Sequence, residues 1–273
     1  MNSVSFSSET SQSADLRLAL ELADIADSVA LPRFRAADLR VDTKPDRTFV
    51  TDADTAVEKA VRAHLANTRP DDGFFGEETG TRDANNDDNK RQWIIDPIDG
   101  TSNFLRGVPN WATLIALTVD EVPTIGVVSM PAIAQRWWAE TGCGAWTQRK
   151  RSAPERIRVS GIDSLENASL SFQSIMQWED AGYLPELLEL RRSVWRDRAY
   201  GDAWSYMALA EGLLDIVGEF DVAAYDLTAH VPIVREAGGQ FTDVLGNESA
   251  WNGSSLATNG ALHDQVLQKI TKH

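Results

Sequence analysis

One stretch limits the possible folds of this chain more than any other: Trp93-Ile94-Ile95-Asp96-Pro97-Ile98-Asp99-Gly100-Thr101-Ser102-Asn103-Phe104. The apolar run through Ile94 and Ile95 reads as a buried strand. Asp96 and Asp99 fall where that strand ends, and a helix-compatible segment follows. Gly100 lets the backbone come close to a ligand, and the amides of Gly100 and Thr101 can open a helix N-terminus, an end that attracts anions. Carboxylates repel a bound phosphate, so the two belong together only with a cation between them. The local reading is a divalent metal holding a phosphate. Mg²⁺ takes oxygen ligands and keeps several waters. Asp96 could bridge two ions, the Ile98 carbonyl could add a neutral oxygen, and Asp99 would hold the second ion. Two ions roughly 3.5–4 Å apart can stabilise both the attacking and the leaving oxygen of an in-line displacement.

The rest of the composition narrows the setting. A length of 273 residues with 42% hydrophobic content suffices for a large core and one or two domains. A net charge of -15 argues against a nucleic-acid or anionic-membrane partner. It also means that a phosphate substrate needs metal to invert the local field. Cys143 is the one cysteine, so no intramolecular disulfide forms and a reducing compartment, the cytoplasm, is expected. Residues 1–13 are Ser/Thr-rich, lack basic and apolar leader regions, and read as a disordered tail. No apolar run approaches transmembrane length.

Along the chain, Leu18, Leu22, Ile25 and Val29 predict a helix over about 14–35. Residues 42–48 read as a polar loop, followed by a helix that buries Val57, Val61 and Leu65. Asp52 and Asp54 at its start are N-cap candidates. Residues 83–89 read as a solvated loop without the glycine and terminal glutamate of an EF-hand. Strands are expected at 111–119, 124–130, 136–140 and 156–159, with 148–155 as a loop near a lobe boundary. Beyond about 160 strands and helices alternate: strands at 169–172, 198–200, 213–217, 240–243 and 255–258, helices at 184–195, 203–211, 226–236 and 262–272. Gly238 and Gly239 end the third of these helices.

Five motifs in this order resemble the inositol monophosphatase superfamily of Mg²⁺-dependent phosphatases, over nearly the whole chain. They are Val50-Thr51-Asp52-Ala53-Asp54, Gly76-Glu77-Glu78, the Trp93–Asn103 stretch, Gly201-Asp202-Ala203, and Tyr225-Asp226-Leu227 with Arg235-Glu236-Ala237-Gly238-Gly239. Within it, Arg198-Ala199-Tyr200-Gly201-Asp202 and Trp137-Trp138 are most similar to actinobacterial histidinol-phosphate phosphatases. The resemblance implies a two-lobed α+β (α/β) fold, an alternating αβαβα layered sandwich. The N-terminal lobe, 14–160, would hold the metal and phosphate site, and the C-terminal lobe, 161–273, the substrate-selecting residues.

The resemblance also implies roles. Glu77 matches a metal ligand that helps orient the attacking water. Asp96 matches the bridging aspartate, Ile98 the carbonyl donor, and Asp99 and Asp226 ligands of the second metal. Thr101 matches the hydroxyl that binds the water, and Asp54 its partner. Gly100 and Thr101 match the phosphate-binding amides. The loop near Lys44 matches one that closes over the site and serves a third metal position, so two or three Mg²⁺ are implied. Tyr225 departs from the tryptophan usual there. The implied reaction is direct attack of a metal-activated water on phosphorus, with no covalent intermediate. His64, His230, His263 and His273 are scattered, which gives a phosphohistidine route little support. Cys143 lacks an amide-and-arginine loop and reads as structural.

For the substrate, Glu219 matches the glutamate that contacts the leaving group. Asp202, with Ala203, begins a helix where sugar-phosphate enzymes often carry a small hydroxyl residue, and an N-cap is an equal reading of it. If both acids face the pocket they favour a cationic leaving group, and hence histidinol phosphate, an intermediate of histidine biosynthesis. Inositol 1-phosphate or a range of sugar phosphates is the alternative within the class. A non-catalytic scaffold is the alternative outside it, disfavoured because the whole ligand set is present. A homodimer or higher homo-oligomer is expected from the resemblance. The adjacent tryptophans Trp137 and Trp138 should point to opposite faces of a strand.

Overall fold

The computed structural model describes residues 12–44, 48–82 and 90–271. Ser13 accepts from Leu16 N and caps α1 (Ala14–Ala30). The expected helix to about 35 stops at Ala30 because Pro32 has no N–H to continue the ladder. The expected loop at 42–48 is largely a hairpin, β1 (Val41–Thr43) against β2 (Phe49–Thr51), with 45–47 outside the described residues. α2 (Asp52–Thr68) follows and buries Val57, Val61 and Leu65 as its periodicity predicts. Next come β3 (Gly73–Gly76), β4 (Gly80–Arg82), β5 (Arg91–Asp99) and α3 (Thr101–Arg106). The loop expected at 83–89, the tail expected through residue 11, and His273 also lie outside the described residues.

The strands β6 (Ala112–Val119), β7 (Val122–Met130), β8 (Gln135–Glu140), β9 (Ala145–Arg149) and β10 (Glu155–Arg156) complete the first sheet. Its order is β10-β9-β8-β7-β6-β5-β3-β4, antiparallel throughout except for the parallel pair β3 and β5. β9 corrects the reading of 148 and 149 as loop, since the turn at Gly142 and Gly144 returns the chain directly alongside β8. Trp137 and Trp138 are both buried, on opposite faces.

The second half contributes β11 (Ser169–Ser171), α4 (Ile175–Asp180), α5 (Leu184–Ser193), β12 (Arg196–Arg198), α6 (Asp202–Ala210), β13 (Ile216–Phe220), α7 (Ala224–Leu227), α8 (His230–Glu236), β14 (Gln240–Thr242), β15 (Ser254–Thr258) and α9 (His263–Ile270). The second sheet has the order β12-β11-β13-β15-β14. β13 starts three residues later than expected, because Leu213 N and Leu214 N turn back to Ala208 O to close α6. The single helix expected over 226–236 is two pieces. Pro232 cannot donate to the carbonyl four residues back, and the break puts it in the first turn of α8, where no donor is needed.

The layers are α, β, α, β, α. α1 and α2 pack on one face of the first sheet through Leu22, Val57, Trp93 and Ile115. α6 and α8 lie between the sheets and join Ile94, Val128 and Trp137 to Val217, Phe241 and Ala257. Trp178, Leu187, Leu190 and Val266 cover the outer face of the second sheet. The middle layer sits close: a Cβ on Gly126 of β7 would come 2.0 Å from Ala229 O. Among the described residues no helix is long and apolar enough to cross a membrane.

Candidate active site

Residues three apart on a strand point to opposite faces, yet Asp96 and Asp99 of β5 act together. The ladder explains it. Asp96 pairs with Leu114 and Asp99 with Ala112, so three steps on β5 oppose two on β6. That bulge turns both carboxylates the same way. Asp226, at the third position of α7, joins them, and one carboxylate oxygen from each lies within 4.8 Å of the others. Ala223 N donates to Asp226 (2.7 Å), Ala203 N donates to Asp99 (2.7 Å), and Ile98 N donates to Asp96 (3.0 Å). The Ile98 carbonyl accepts from the Thr101 hydroxyl at 3.0 Å.

The electrostatics of this group favour a cation. Burial, and then Glu77, Asp99 and Asp226, push the Asp96 carboxyl well above its usual range. Burial and Asp202 do the same to Asp99. Burial raises Asp226 to about 7 despite the bond from Ala223. Carboxylates that repel one another and face a common point, Asp96 buried and Asp99 and Asp226 half-buried, form a hard-oxygen donor set, which suits a divalent ion. Glu77 lies near enough to raise both Asp96 and Asp226. Its own partner is Lys44, whose Nζ is 2.7 Å from Glu77 Oε1 and 2.8 Å from Glu78 Oε1.

Gly100, at φ +80°, leads from the cluster into α3, and its carbonyl accepts from Asn103 N and Phe104 N. Thr101 then begins the helix with its hydroxyl 3.1 Å from Asp54 Oδ1. Asp54 is fully buried, and burial raises its pKa. Its other oxygen accepts from Thr51 N (2.9 Å) and Thr51 Oγ1 (2.5 Å), a capping box at the start of α2. Asp54 is therefore both a helix cap and the partner of Thr101. Asp52 instead pairs with Arg33 at 2.8 Å.

Asp202 meets the first half of the chain at the start of α6. Its carboxylate accepts from Asn103 (2.6 Å) and Gln173 (3.1 Å), while its own N donates to Gln173 Oε1 (2.9 Å). Asn103 also donates to Asn110 O (2.8 Å). Asp202 thus stitches three segments together, and the N-cap position belongs to Gly201. Glu219 of β13 is buried, and burial raises it to about 8. It contributes to the raised pKa of Asp99, so the two face a common region.

Sequence reasoning passed over several residues around the site. Glu58, one turn after Asp54 on the buried face of α2, accepts from Glu78 N and Thr79 N, both at 2.8 Å, and so fixes the turn that carries Glu77. Gly76 leaves room for it, since a Cβ there would fall 2.5 Å from the Glu58 carboxyl. Asn103, Asn110, Gln173 and Tyr206 were likewise unassigned. Only their polarity within otherwise apolar or turn segments signalled them. His230 is fully buried and held neutral, its pKa pushed down to about 3 by burial. His263 is a core residue between Thr242 and Thr258. Tyr225, in the tryptophan position, packs against Phe75 with ring centroids 5.7 Å apart.

The model of the inositol monophosphatase family matches residues 11–273. A histidinol-phosphatase of Mycobacterium tuberculosis is 52% identical, over 94% of this chain and 97% of its own. A histidinol-phosphatase of Streptomyces coelicolor is 47% identical, over 93% of this chain and 95% of its own. The solved structure of the extragenic suppressor protein suhB from Bartonella henselae superposes with a TM-score of 0.84 at 28% identity, covering 95% of this chain and 99% of that one.

Proposed function

The chain belongs to the inositol monophosphatase family, and from that premise we propose that it hydrolyses L-histidinol phosphate to L-histidinol and phosphate in histidine biosynthesis. The geometric observation that carries the substrate choice is a buried acid, Glu219, beyond the metal cluster on the side of the second sheet. A buried carboxylate in that position suits a leaving group that brings an ammonium, whereas inositol brings only hydroxyls. Two relatives named histidinol-phosphatase, at 52% and 47% identity over almost the entire chain, support the same choice.

The enzyme is a metal-dependent phosphoric monoester hydrolase, and we assign Mg²⁺, two or three per site, to the carboxylates of Glu77, Asp96, Asp99 and Asp226 with the Ile98 carbonyl. When bound, the ions neutralise phosphoryl oxygens and bring the pKa of water toward neutrality. The side chains do the rest. With the Ile98 carbonyl assigned to a metal, the Thr101 hydroxyl donates its hydrogen bond to Asp54, and its oxygen lone pairs would accept from a water and aim it at phosphorus. The Glu77 carboxylate, on a turn fixed by Glu58, takes the water's proton. As the new P–O bond forms, the bond to the ester oxygen breaks and the leaving alkoxide takes its proton from a second water. The Gly100 and Thr101 amides hold phosphoryl oxygens. Glu219 grips the leaving group, and Asp202 adds negative potential while holding Asn103 and Gln173 in place. The Ala203 amide keeps Asp99 in its orientation, and Lys44 neutralises Glu77 and Glu78. We also assign a homodimer in the cytoplasm.

The test compares kcat/KM for histidinol phosphate and inositol 1-phosphate with Mg²⁺. A preference for histidinol phosphate of about a hundredfold or more is expected, because a buried acid left without its cationic partner penalises the wrong substrate. Equal or better turnover of inositol 1-phosphate overturns the assignment.

A further inference from the structure

We propose that Tyr206 is a positioning residue for leaving-group recognition: its hydroxyl holds one oxygen of Glu219 and so turns the other toward the substrate's cationic group. This rests on the reading above, in which Glu219 meets an ammonium.

The hydrogen bonds have one consistent direction. Tyr206 Oη lies 2.5 Å from Glu219 Oε1 and 2.5 Å from Ser255 Oγ. A tyrosine has one proton to give. Burial holds Glu219 protonated in the free site. Once the substrate's cationic group ionises it, the Tyr206 proton goes to Glu219 and the phenol oxygen accepts from Ser255. The relay runs Ser255 to Tyr206 to Glu219 Oε1. Oε2 then accepts nothing among the described residues, so it is the oxygen left for a ligand.

Tyr206 is itself immobile. It is fully buried, with its ring stacked on His230 at 4.4 Å between centroids and 14° between planes. Neither nitrogen of His230 has a partner among the described residues. The imidazole, held neutral, serves as a flat apolar plate beneath the phenol. Phe241 closes another side at 5.9 Å. A side chain packed in this way cannot follow a shift of Glu219, so it dictates where Glu219 stands.

α6 then ties the two ends of the site together. Its first turn donates Ala203 N to Asp99, and the residue three positions on, one turn along the same face, donates to Glu219. One rigid helix thereby sets the separation between a metal ligand and the leaving-group acid. A substrate whose ammonium lies at that separation from its phosphate can meet both.

The experiment uses the full-length enzyme with Mg²⁺ and compares Tyr206→Phe, Ser255→Ala and Glu219→Gln on histidinol phosphate and on a neutral ester, glycerol 2-phosphate. Tyr206→Phe keeps the stacked ring and loses only the hydroxyl. The expected result is a KM for histidinol phosphate raised about tenfold or more, with kcat changed less, because the lost contact is made equally in ground and transition states. The loss on glycerol 2-phosphate should be several times smaller. Ser255→Ala should shift KM in the same direction by less, and it carries the test if Tyr206→Phe does not fold. Equal losses on both substrates, or an unshifted KM, overturn the proposal. If Glu219→Gln discriminates between the substrates while Tyr206→Phe and Ser255→Ala do not, the positioning role alone fails. If Glu219→Gln does not discriminate, the cationic leaving-group reading fails and this proposal with it.

Discussion

Lys44 Nζ stands 2.7 Å from Glu77 Oε1, so an ammonium already neutralises a carboxylate assigned to a metal. Glu77 and Glu78 hold Lys44 protonated, raising its pKa above the usual lysine range despite its partial burial. A divalent ion at Glu77 must displace or share that contact. Lys44→Gln removes the competitor, and the Mg²⁺ concentration for half-maximal activity should fall about twofold to fivefold, the scale of one partly screened ion pair. An unchanged Mg²⁺ requirement would show that Lys44 and the metal do not compete.

Asp99→Asn should lower kcat by about 10³-fold, the several kcal/mol that a correctly held ion supplies. Asparagine keeps an oxygen for the Ala203 amide and relieves the repulsion from Asp202 and Asp226. The melting temperature in EDTA should therefore equal or exceed that of the wild type. Near-normal turnover at saturating Mg²⁺ would contradict the assignment of Asp99 as a ligand.

Thr101→Val and Asp54→Ala should separate two functions that meet at Asp54. Valine removes the hydroxyl from the half-buried first position of α3 while leaving the Thr51–Asp54 capping box intact, and should cost about 10²-fold in kcat with a smaller loss of stability than Asp54→Ala. Asp54→Ala should lose similar activity and also about 1–2 kcal/mol of stability, because the Thr51 end of α2 loses its capping box. Denaturant unfolding beside steady-state kinetics checks both. Equal stability of the two variants would deny the structural half of the role.

Without metal, stability should fall as pH rises. Asp226 is raised from 3.8 to about 7 and Glu219 from 4.5 to about 8. Across about pH 4–8 the folded state therefore holds protons that the unfolded chain has released, so stability declines with pH over that window. It is fully present below pH 4 and lost as pH passes 8. Metal replaces the protons on Asp226 and its neighbours, so Mg²⁺ should flatten the decline. Melting curves at pH 5–8 in EDTA and in Mg²⁺ test this, with about 2–4 °C expected per kcal/mol of linkage. Parallel curves would exclude protons bound at the metal cluster.

Much of this was legible in the sequence. A strand ending in Asp96 and Asp99, the helix periodicity around Val57, Val61 and Leu65, and the alternation of Trp137 and Trp138 each follow from spacing alone. The bulge that brings Asp96 and Asp99 to one side was hidden, because it lies in the pairing with Leu114 and Ala112 and not in β5 itself. Asp202 read equally as a cap or a ligand. Its actual partners, Asn103 and Gln173, are 99 and 29 residues away and carry no local signature. Glu58 drew no reading from the sequence, since its bonds go to the amides of a turn 20 residues downstream. Long-range polar partners escape periodicity, which records only which face of an element is buried.

The arrangement of the two sheets has a consequence for how such an enzyme diverges. Glu77, Asp96, Asp99, Thr101 and Asp54 all come from the half of the chain that builds the first sheet and its covering helices. Tyr206, Glu219 and Ser255 come from the second sheet and the helix layer between the sheets. In the proposed reading the first half thus carries most of the hydrolytic site, with Asp226 of α7 added from the second half, while the selecting residues lie in the second half; the Ala203 amide on Asp99 and the clasp of Asp202 are two of the places where the halves meet. On that reading, replacing the residues around Tyr206, Glu219 and Ser255 while α7 and those joints are kept would retarget the enzyme and leave its hydrolytic chemistry as it was.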